Sequence, residues 1–216
     1  MKLYAVVGSP NARKTMAVIN HLDDLDIEIE YLDFFAGDTQ KPEFKNINPN
    51  AMVPTLVDGD FTLWESNAIN QYLADKSEND ELYPYDLTVR ADINRWLFWE
   101  VSHFNNALGN ISFESIAKKK FMGLDSNEAV ISWAQDKLNR FAAILNDHMN
   151  GREYIVGHNV TLADYAMIHV EFFKDMIPFD WDPYPHVNQY FDRMRQNVHW
   201  HKTAPNSPEE IGRIPS

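Results

Sequence analysis

Apolar side chains in this chain are spaced in two ways, and the strand-like spacing is confined to its first part. Before about residue 78 they fall in short runs broken by turn residues; from residue 88 onward they recur at helical intervals over long stretches. Strands and helices need different periods, two residues against about 3.6. Both periods in the first part and only the helical one in the second predict an α/β part followed by an all-helical part, and 216 residues are enough for both to bury a core.

Residues 2–7, KLYAVV, form an apolar run closed by Gly8, Ser9 and Pro10, which reads as a buried strand ending in a turn. Ala12, Met16, Val18, Ile19 and Leu22 follow at helical spacing across residues 11–24, and IEIEYLD, 27–33, alternates like a strand with one wet face. A right-handed crossover makes the two strands parallel. The polar stretch 36–50, with Gly37, Pro42 and Pro49, has room for at most a short helix. Asp58-Gly59-Asp60 between Thr55–Val57 and Phe61–Trp64 is a hairpin signal, and residues 66–76 carry Ala68, Ile69, Tyr72 and Leu73 on one helical face. The sum is βαβ-ββα on a mixed four-stranded sheet.

Residues 77–87, SENDELYPYDL, have no extended periodicity. The partition is therefore 1–78 for the first domain, 79–87 for a linker, 88–205 for a helical domain and 206–216 for a tail. From Thr88 to about Lys120, Ile93, Trp96, Leu97, Phe98, Val101, Phe104, Leu108 and Ile111 form an amphipathic pattern, with a bend expected near Gly109. Asp125 and Glu128 suggest a capping pair before a helix from about 126 to 149, whose inner face is read as Val130, Trp133, Leu138, Phe141 and Leu145. Thr161-Leu162-Ala163-Asp164 has the capping-box form and opens a helix over 162–175; a last helix is expected near 186–197.

Several functions are disfavoured before any site is sought. The chain carries 19 Lys plus Arg against 32 Asp plus Glu, a formal charge of −13, and residues 1–78 alone hold 6 basic and 13 acidic side chains. Phosphate neutralisation needs the opposite balance, so nucleic acid is not an expected partner. There is no cysteine, which rules out a cysteine nucleophile, thiolate metal ligands and disulfides. Any thiol chemistry must use a thiol brought by a ligand. The apolar start MKLYAVVG is too short for a signal peptide or a membrane span, so no membrane partner and a cytoplasmic location are expected. The histidines, His199 and His201 included, show no metal-site spacing, and Gly8 has no phosphate-binding loop around it.

Val53-Pro54-Thr55, Glu65-Ser66 and the Thr161–Asp164 box, in this order on a βαβ-ββα-plus-helices pattern, resemble the cytosolic glutathione S-transferase family over nearly the whole chain. Serine-type bacterial, theta-like and phi-like members are the nearest in pattern. The resemblance implies a thioredoxin-like fold for the first domain and glutathione as cosubstrate, with no other cofactor. It implies a cis Pro54, with Val53 presenting its backbone N–H and C=O to the cysteinyl part of glutathione. Glu65 and Ser66 would receive the γ-glutamyl end, the serine at a helix start where a carboxylate is favoured.

The thiol must be held as thiolate to attack. Ser9, just after the first strand, matches the position of the catalytic hydroxyl in serine-type members; Asn11 is a rival at the same helix start, and Tyr4 in the first strand is a third choice. Further glutathione contacts are expected from Lys41 and Met52, with Thr39 and Gln40 nearby. Here the chain departs from the family pattern: Met52 stands where a basic or amide side chain is common, and Thr39 where serine-type relatives often carry histidine. By family analogy a small hydrophobic electrophile would meet Phe98, Trp99, Ser102, His103, Asn106, Phe113 and Tyr165, with Phe35 as a further candidate, and the protein would be a homodimer. The leading reading is glutathione transfer to such electrophiles. Another glutathione-using enzyme, such as a peroxidase, and a non-catalytic glutathione-binding module are the rivals.

Overall fold

The computed structural model describes residues 1–215 and divides into two compact units, Met1–Pro84 together with the chain from Asn197 onward, and Tyr85–Gln196. In the first unit, β1 (Lys2–Ala5), β2 (Glu28–Tyr31), β3 (Thr55–Asp58) and β4 (Phe61–Trp64) form one sheet in the order β2-β1-β3-β4. β1 and β2 are parallel, joined through α1 (Pro10–Leu22), and the β1–β3 and β3–β4 pairs are antiparallel. The hairpin turn falls at Gly59, whose φ of +59° suits a residue without Cβ. α2 (Pro42–Ile47) lies in the long connection, and α3 (Ser66–Lys76) packs on α1.

The period-two reading explains the burial. Leu3, Ala5 and Leu56 from the central strands are wholly buried, as are Val18, Ile69 and Leu73 from the two helices. Each such aliphatic side chain contributes about 1.5–3 kcal/mol by leaving water. A smaller cluster of Val6, Leu32 and Phe44 has Tyr4 and Val53 packed against it.

The chain from Asn197 onward departs from the partition read in the sequence, which gave 197–205 to the helical domain and left 206–216 as a tail. It belongs to the first unit, where α11 (Val198–His201) packs against α1. Trp200 is buried, with the Arg13 guanidinium 3.9 Å from its ring centre, and His199 stacks on His21. Burying a tryptophan under the Arg13 guanidinium gives this segment a reason to fold back.

In the second unit, helical backbone runs from residue 87 to 122. α4 (Leu87–Trp99), α5 (Asn105–Ser112) and α6 (Lys118–Met122) are joined by π-helical stretches at Glu100–Phe104 and Phe113–Ala117. The expected irregularity at Gly109 is absent; that residue sits inside α5. One inserted residue turns the following face by about 100°, so the two π stretches change the helix's phase where the sequence suggested a bend. α7 (Glu128–Met149) is capped by Asn127, which accepts from Ala129 N and Val130 N, in place of the expected Asp125. Its buried stripe is Ile131, Ala134, Leu138, Ala142, Leu145 and Met149, while Trp133 is half exposed.

The helix expected over 162–175 is two, α8 (Leu162–Met167) and α9 (Val170–Lys174). Between them His169 Nδ1–H donates to the Ala166 carbonyl at 2.8 Å, a local bond that competes with the helical ladder. α10 (Pro185–Arg195) follows. The start of α8 is sealed: Asp164, fully buried, accepts from Thr161 N (2.9 Å), Thr161 Oγ1 (3.2 Å), Ile155 N (3.0 Å) and Tyr190 OH (3.1 Å). Burial nevertheless pushes this carboxyl up to about 6, outweighing the four donors. Among the described residues no helix is long and apolar enough to cross a membrane.

Candidate functional site

One groove in the first unit gathers residues from three separate segments: Asn11; Asn48, Asn50, Met52, Val53 and Pro54; and Trp64, Glu65 and Ser66. Val53, Pro54, Met52, Glu65 and Ser66 were each singled out from the sequence, and the fold brings them together with Asn11. The Val53–Pro54 peptide is cis.

The loop before that peptide is organised by a residue that sequence reasoning missed. Asn48, 1% exposed, donates from Nδ2 to Met52 O and Thr55 Oγ1, both at 2.9 Å, and its Oδ1 accepts from Asn50 N and Asn50 Nδ2 at 3.0 Å. Thr55 Oγ1 in turn donates to Met52 O at 3.0 Å. Ala51 adopts a left-handed φ of +55° within this turn. The Met52 carbonyl, immediately before Val53, is thus held by a side-chain network, while the apolar Met52 side chain is exposed. Asn48-Pro49-Asn50, a turn-forming cluster just ahead of Val53, was the available signal.

Glu65 and Ser66 stand at the start of α3. Glu65, exposed, has a φ of +73° and makes no side-chain cap bond; Ser66 is buried as the first helical residue. A non-glycine residue in this backbone region costs of order 1–3 kcal/mol and is held there by its surroundings. The first turn of α3 contains no acidic side chain, so its amide ends keep their positive character.

The start of α1 is similar. Gly8 has a φ of +79°, Ser9 N donates to Val6 O at 3.0 Å, and Pro10 opens the helix. Ser9 is the cap, its Oγ accepting from Ala12 N at 3.4 Å. A hydroxyl has one proton to give besides the lone pairs it offers, so capping leaves that proton available. Asn11 is exposed and lines the groove; Ser9 is half-buried two residues earlier and is not among the lining residues. Arg13 and Lys14, one turn on, are buried.

Two sequence candidates lie elsewhere. Tyr4 and Lys41 line a separate cavity of about 280 Å³ with Glu30, Leu32, Asp38, Glu43, Phe44 and Ile47. Strand alternation turns Tyr4 onto Phe44, edge-on at 5.6 Å, and Lys41 pairs with Asp38 at 2.6 Å. Of their neighbours, Thr39 is buried and Gln40 exposed.

Of the residues named for the second substrate, Phe98, Ser102, Asn106 and Phe113 are exposed along the α4–α5 run. Trp99 and His103 meet Phe141 of α7, the His103 ring stacked on it at 5.1 Å. Tyr165 is wholly buried in the second unit. Phe35, half exposed, lies in the first unit. Among the described residues no group of three or more His, Asp or Glu side chains is arranged to hold a metal ion.

A four-stranded mixed sheet with a cis-proline groove, followed by a helical unit, defines a thioredoxin-like domain joined to an all-helical one. Comparison with known proteins agrees part by part. The model of the glutathione S-transferase N-terminal domain matches residues 1–75, and that of the C-terminal domain residues 106–197. Glutathione S-transferase D7 of Drosophila melanogaster is 31% identical over 192 residues, 88% of this chain and 82% of that protein. Glutathione transferase F7 from Populus trichocarpa superposes with a TM-score of 0.84 at 25% identity, over 94% of this chain and 96% of that one. Glutathione S-transferase-I, solved with the ligand lactoylglutathione, superposes with a TM-score of 0.81 at 27% identity, over 94% and 97%. The chain belongs to the glutathione S-transferase family.

Proposed function

We infer that this protein is an enzyme that joins the sulfur of glutathione to small hydrophobic electrophiles, a detoxifying conjugation carried out in the cytoplasm. The observation that carries the reading is the convergence of the cis Val53–Pro54 turn, the under-capped start of α3 and the start of α1 on one groove. The groove holds about 80 Å³, well below the several hundred typical of an enclosing pocket, so a tripeptide would lie along it with one side open.

In this pose the backbone of Val53 pairs with the cysteinyl unit. The glutathione α-carboxylate meets Ser66 and the first amides of α3, and its ammonium meets Glu65. The thiol then falls toward the start of α1. Ser9 donates its hydroxyl proton in a hydrogen bond to sulfur, Asn11 flanks it from the groove, and the helix end favours the anion. Loss of the thiol proton to water leaves the thiolate. The sulfur forms a bond to the electrophilic carbon as the bond to the leaving group breaks, and the leaving group departs with that electron pair. Lys41 and Tyr4, which line the other cavity, have no part in this scheme.

The exposed aromatic residues Phe98 and Phe113 support an apolar second-substrate site in the helical unit. Exposed apolar side chains in each unit, Phe61 and Trp64 in one and Val101 in the other, support a homodimer. Light scattering at micromolar concentration tests the assembly; a monomer contradicts it. The activity is tested by glutathione consumption against aryl halides, enals, epoxides and hydroperoxides. Conjugate formation with at least one carbon electrophile is expected. Turnover of hydroperoxides alone would make it a peroxidase, binding without turnover a non-catalytic module, and absence of glutathione binding would overturn the reading.

A further inference from the structure

The segment that folds back from Asn197 grips the start of α1 on both sides. Ahead of the cap, Gly212 N donates to Val7 O at 2.9 Å, and Ile211 lies so close over Gly8 that a Cβ there would stand 2.9 Å from Ile211 Cγ2. One turn beyond the cap, Arg13 Nε donates to Thr203 O at 3.1 Å and to Thr203 Oγ1 at 3.2 Å, with its guanidinium over Trp200. The strap is itself fastened. Phe34 N donates to Gly212 O at 2.7 Å, Thr203 Oγ1 donates to Trp200 O at 2.7 Å, and Gly212 has a φ of +84° with Phe35 where a Cβ would project.

Ser9 and Asn11 lie between these two grips. Asn11, which lines the groove, and the capping Ser9 therefore sit on four to five residues of backbone clamped at Val7–Gly8 and at Arg13 by a segment some 190 residues away in the chain. Locally the Ser9 backbone is held by its N–H to Val6 O at 3.0 Å and by Arg13 N to Ser9 O at 2.9 Å, while the side-chain cap bond is 3.4 Å long and no acidic residue reinforces the first turn. A hydrogen bond to sulfur depends steeply on distance and angle, and a misplacement of about 1 Å can cost a hundredfold in rate.

We propose that the strap, through Thr203, Ile211 and Gly212, positions the start of α1 so that its donors reach the glutathione sulfur. These three are positioning residues; none of them lines the groove. The proposal rests on the glutathione-transferase reading, and it holds whichever of Ser9 and Asn11 makes the closer bond. It assigns the strap an effect on thiol ionisation and little effect on glutathione capture, because Val53, Glu65 and Ser66 are held by other elements.

The test compares the full chain with a chain ending at Asn206 and with the point variants Ile211→Ala and Thr203→Val. Two quantities are read: the thiol pKa of bound glutathione, from the pH profile of kcat/KM with an aryl halide, and the glutathione Kd, from calorimetric titration. The shortened chain is expected to raise the bound thiol's pKa by about one unit, lowering kcat/KM about tenfold below that pKa, with Kd changed less than threefold. Each point variant should move the pKa in the same direction by a smaller step. If the shortened chain does not fold, the point variants decide. A pKa unchanged in both overturns the proposal, as does a folded shortened chain with the full chain's profile, or a Kd loss with no pKa shift. If the full chain itself neither binds glutathione nor turns over, the functional reading fails first and the strap's role with it.

Discussion

The starts of α1 and α3 are built in the opposite way from the start of α8. At α8 a buried carboxylate gathers four donors, and Thr161 and Asp164 satisfy each other reciprocally. At α1 the side-chain cap is one bond of 3.4 Å, and at α3 there is no side-chain cap. Neither first turn carries an acid. A helix start that is closed by its own side chains contributes stability; one left under-capped at a groove keeps its amides and positive potential for a ligand. Within one chain the same backbone feature has thus been closed by side chains in one unit and left under-capped beside a groove in the other.

The largest effect expected from breaking this contrast is on stability. Asp164→Ala strands four buried donors and should cost about 3–5 kcal/mol in urea unfolding, with the bound thiol's pKa unmoved in the protein that stays folded. The pH dependence sharpens the point. Because burial raises this carboxyl to about 6, its ionised form is disfavoured in the folded state. Its contribution is fully present below the unfolded value near 3.8 and is lost as pH rises through about 6, a change of about 3 kcal/mol at 1.36 kcal/mol per unit. The stability advantage of the wild type over Asp164→Asn should therefore shrink between pH 4 and pH 7; an advantage that grows contradicts the assignment.

At the open ends the effects should appear in kinetics. Ser9→Ala should lower kcat/KM about a hundredfold to a thousandfold, the usual cost of one donor to a developing anion, with Asn11→Ala losing less. Full turnover in Ser9→Ala with loss in Asn11→Ala would transfer the role. Ser66→Ala should raise KM for glutathione about tenfold and leave kcat within about twofold, because it removes a bond to a charged group that ground state and transition state share. The smallest effect concerns the loop. Ala51→Gly relieves a left-handed φ and should stabilise by about 0.5–1 kcal/mol, measured as a shifted urea midpoint.

The parts of this plan that were legible in the sequence are those written in neighbouring residues. Asp58-Gly59 marked the hairpin, Thr161 and Asp164 marked the sealed helix, and Val53-Pro54 with Glu65-Ser66 marked the groove. What escaped depends on distance or on phase. Nothing beside Thr203 or Gly212 announces a partner at Arg13 or Val7. Lys41 lies in the expected loop, yet the fold pairs it with Asp38 beside another cavity. Along the helices, Trp133 is apolar enough to suggest a core position, but the buried stripe runs through Ile131 and Ala134. The π stretches rotate the faces after Trp99 and Ser112 in a way no fixed period predicts.

In the proposed mechanism the open start of α1 makes a thiolate of bound glutathione. Titrating the ultraviolet absorbance of that thiolate in the binary complex tests it most directly. A pKa at least one unit below the ordinary thiol value of about 8.5, moved back toward it by Ser9→Ala and Asn11→Ala together, is the predicted result. Bound glutathione that titrates near 8.5 in the wild type would contradict it.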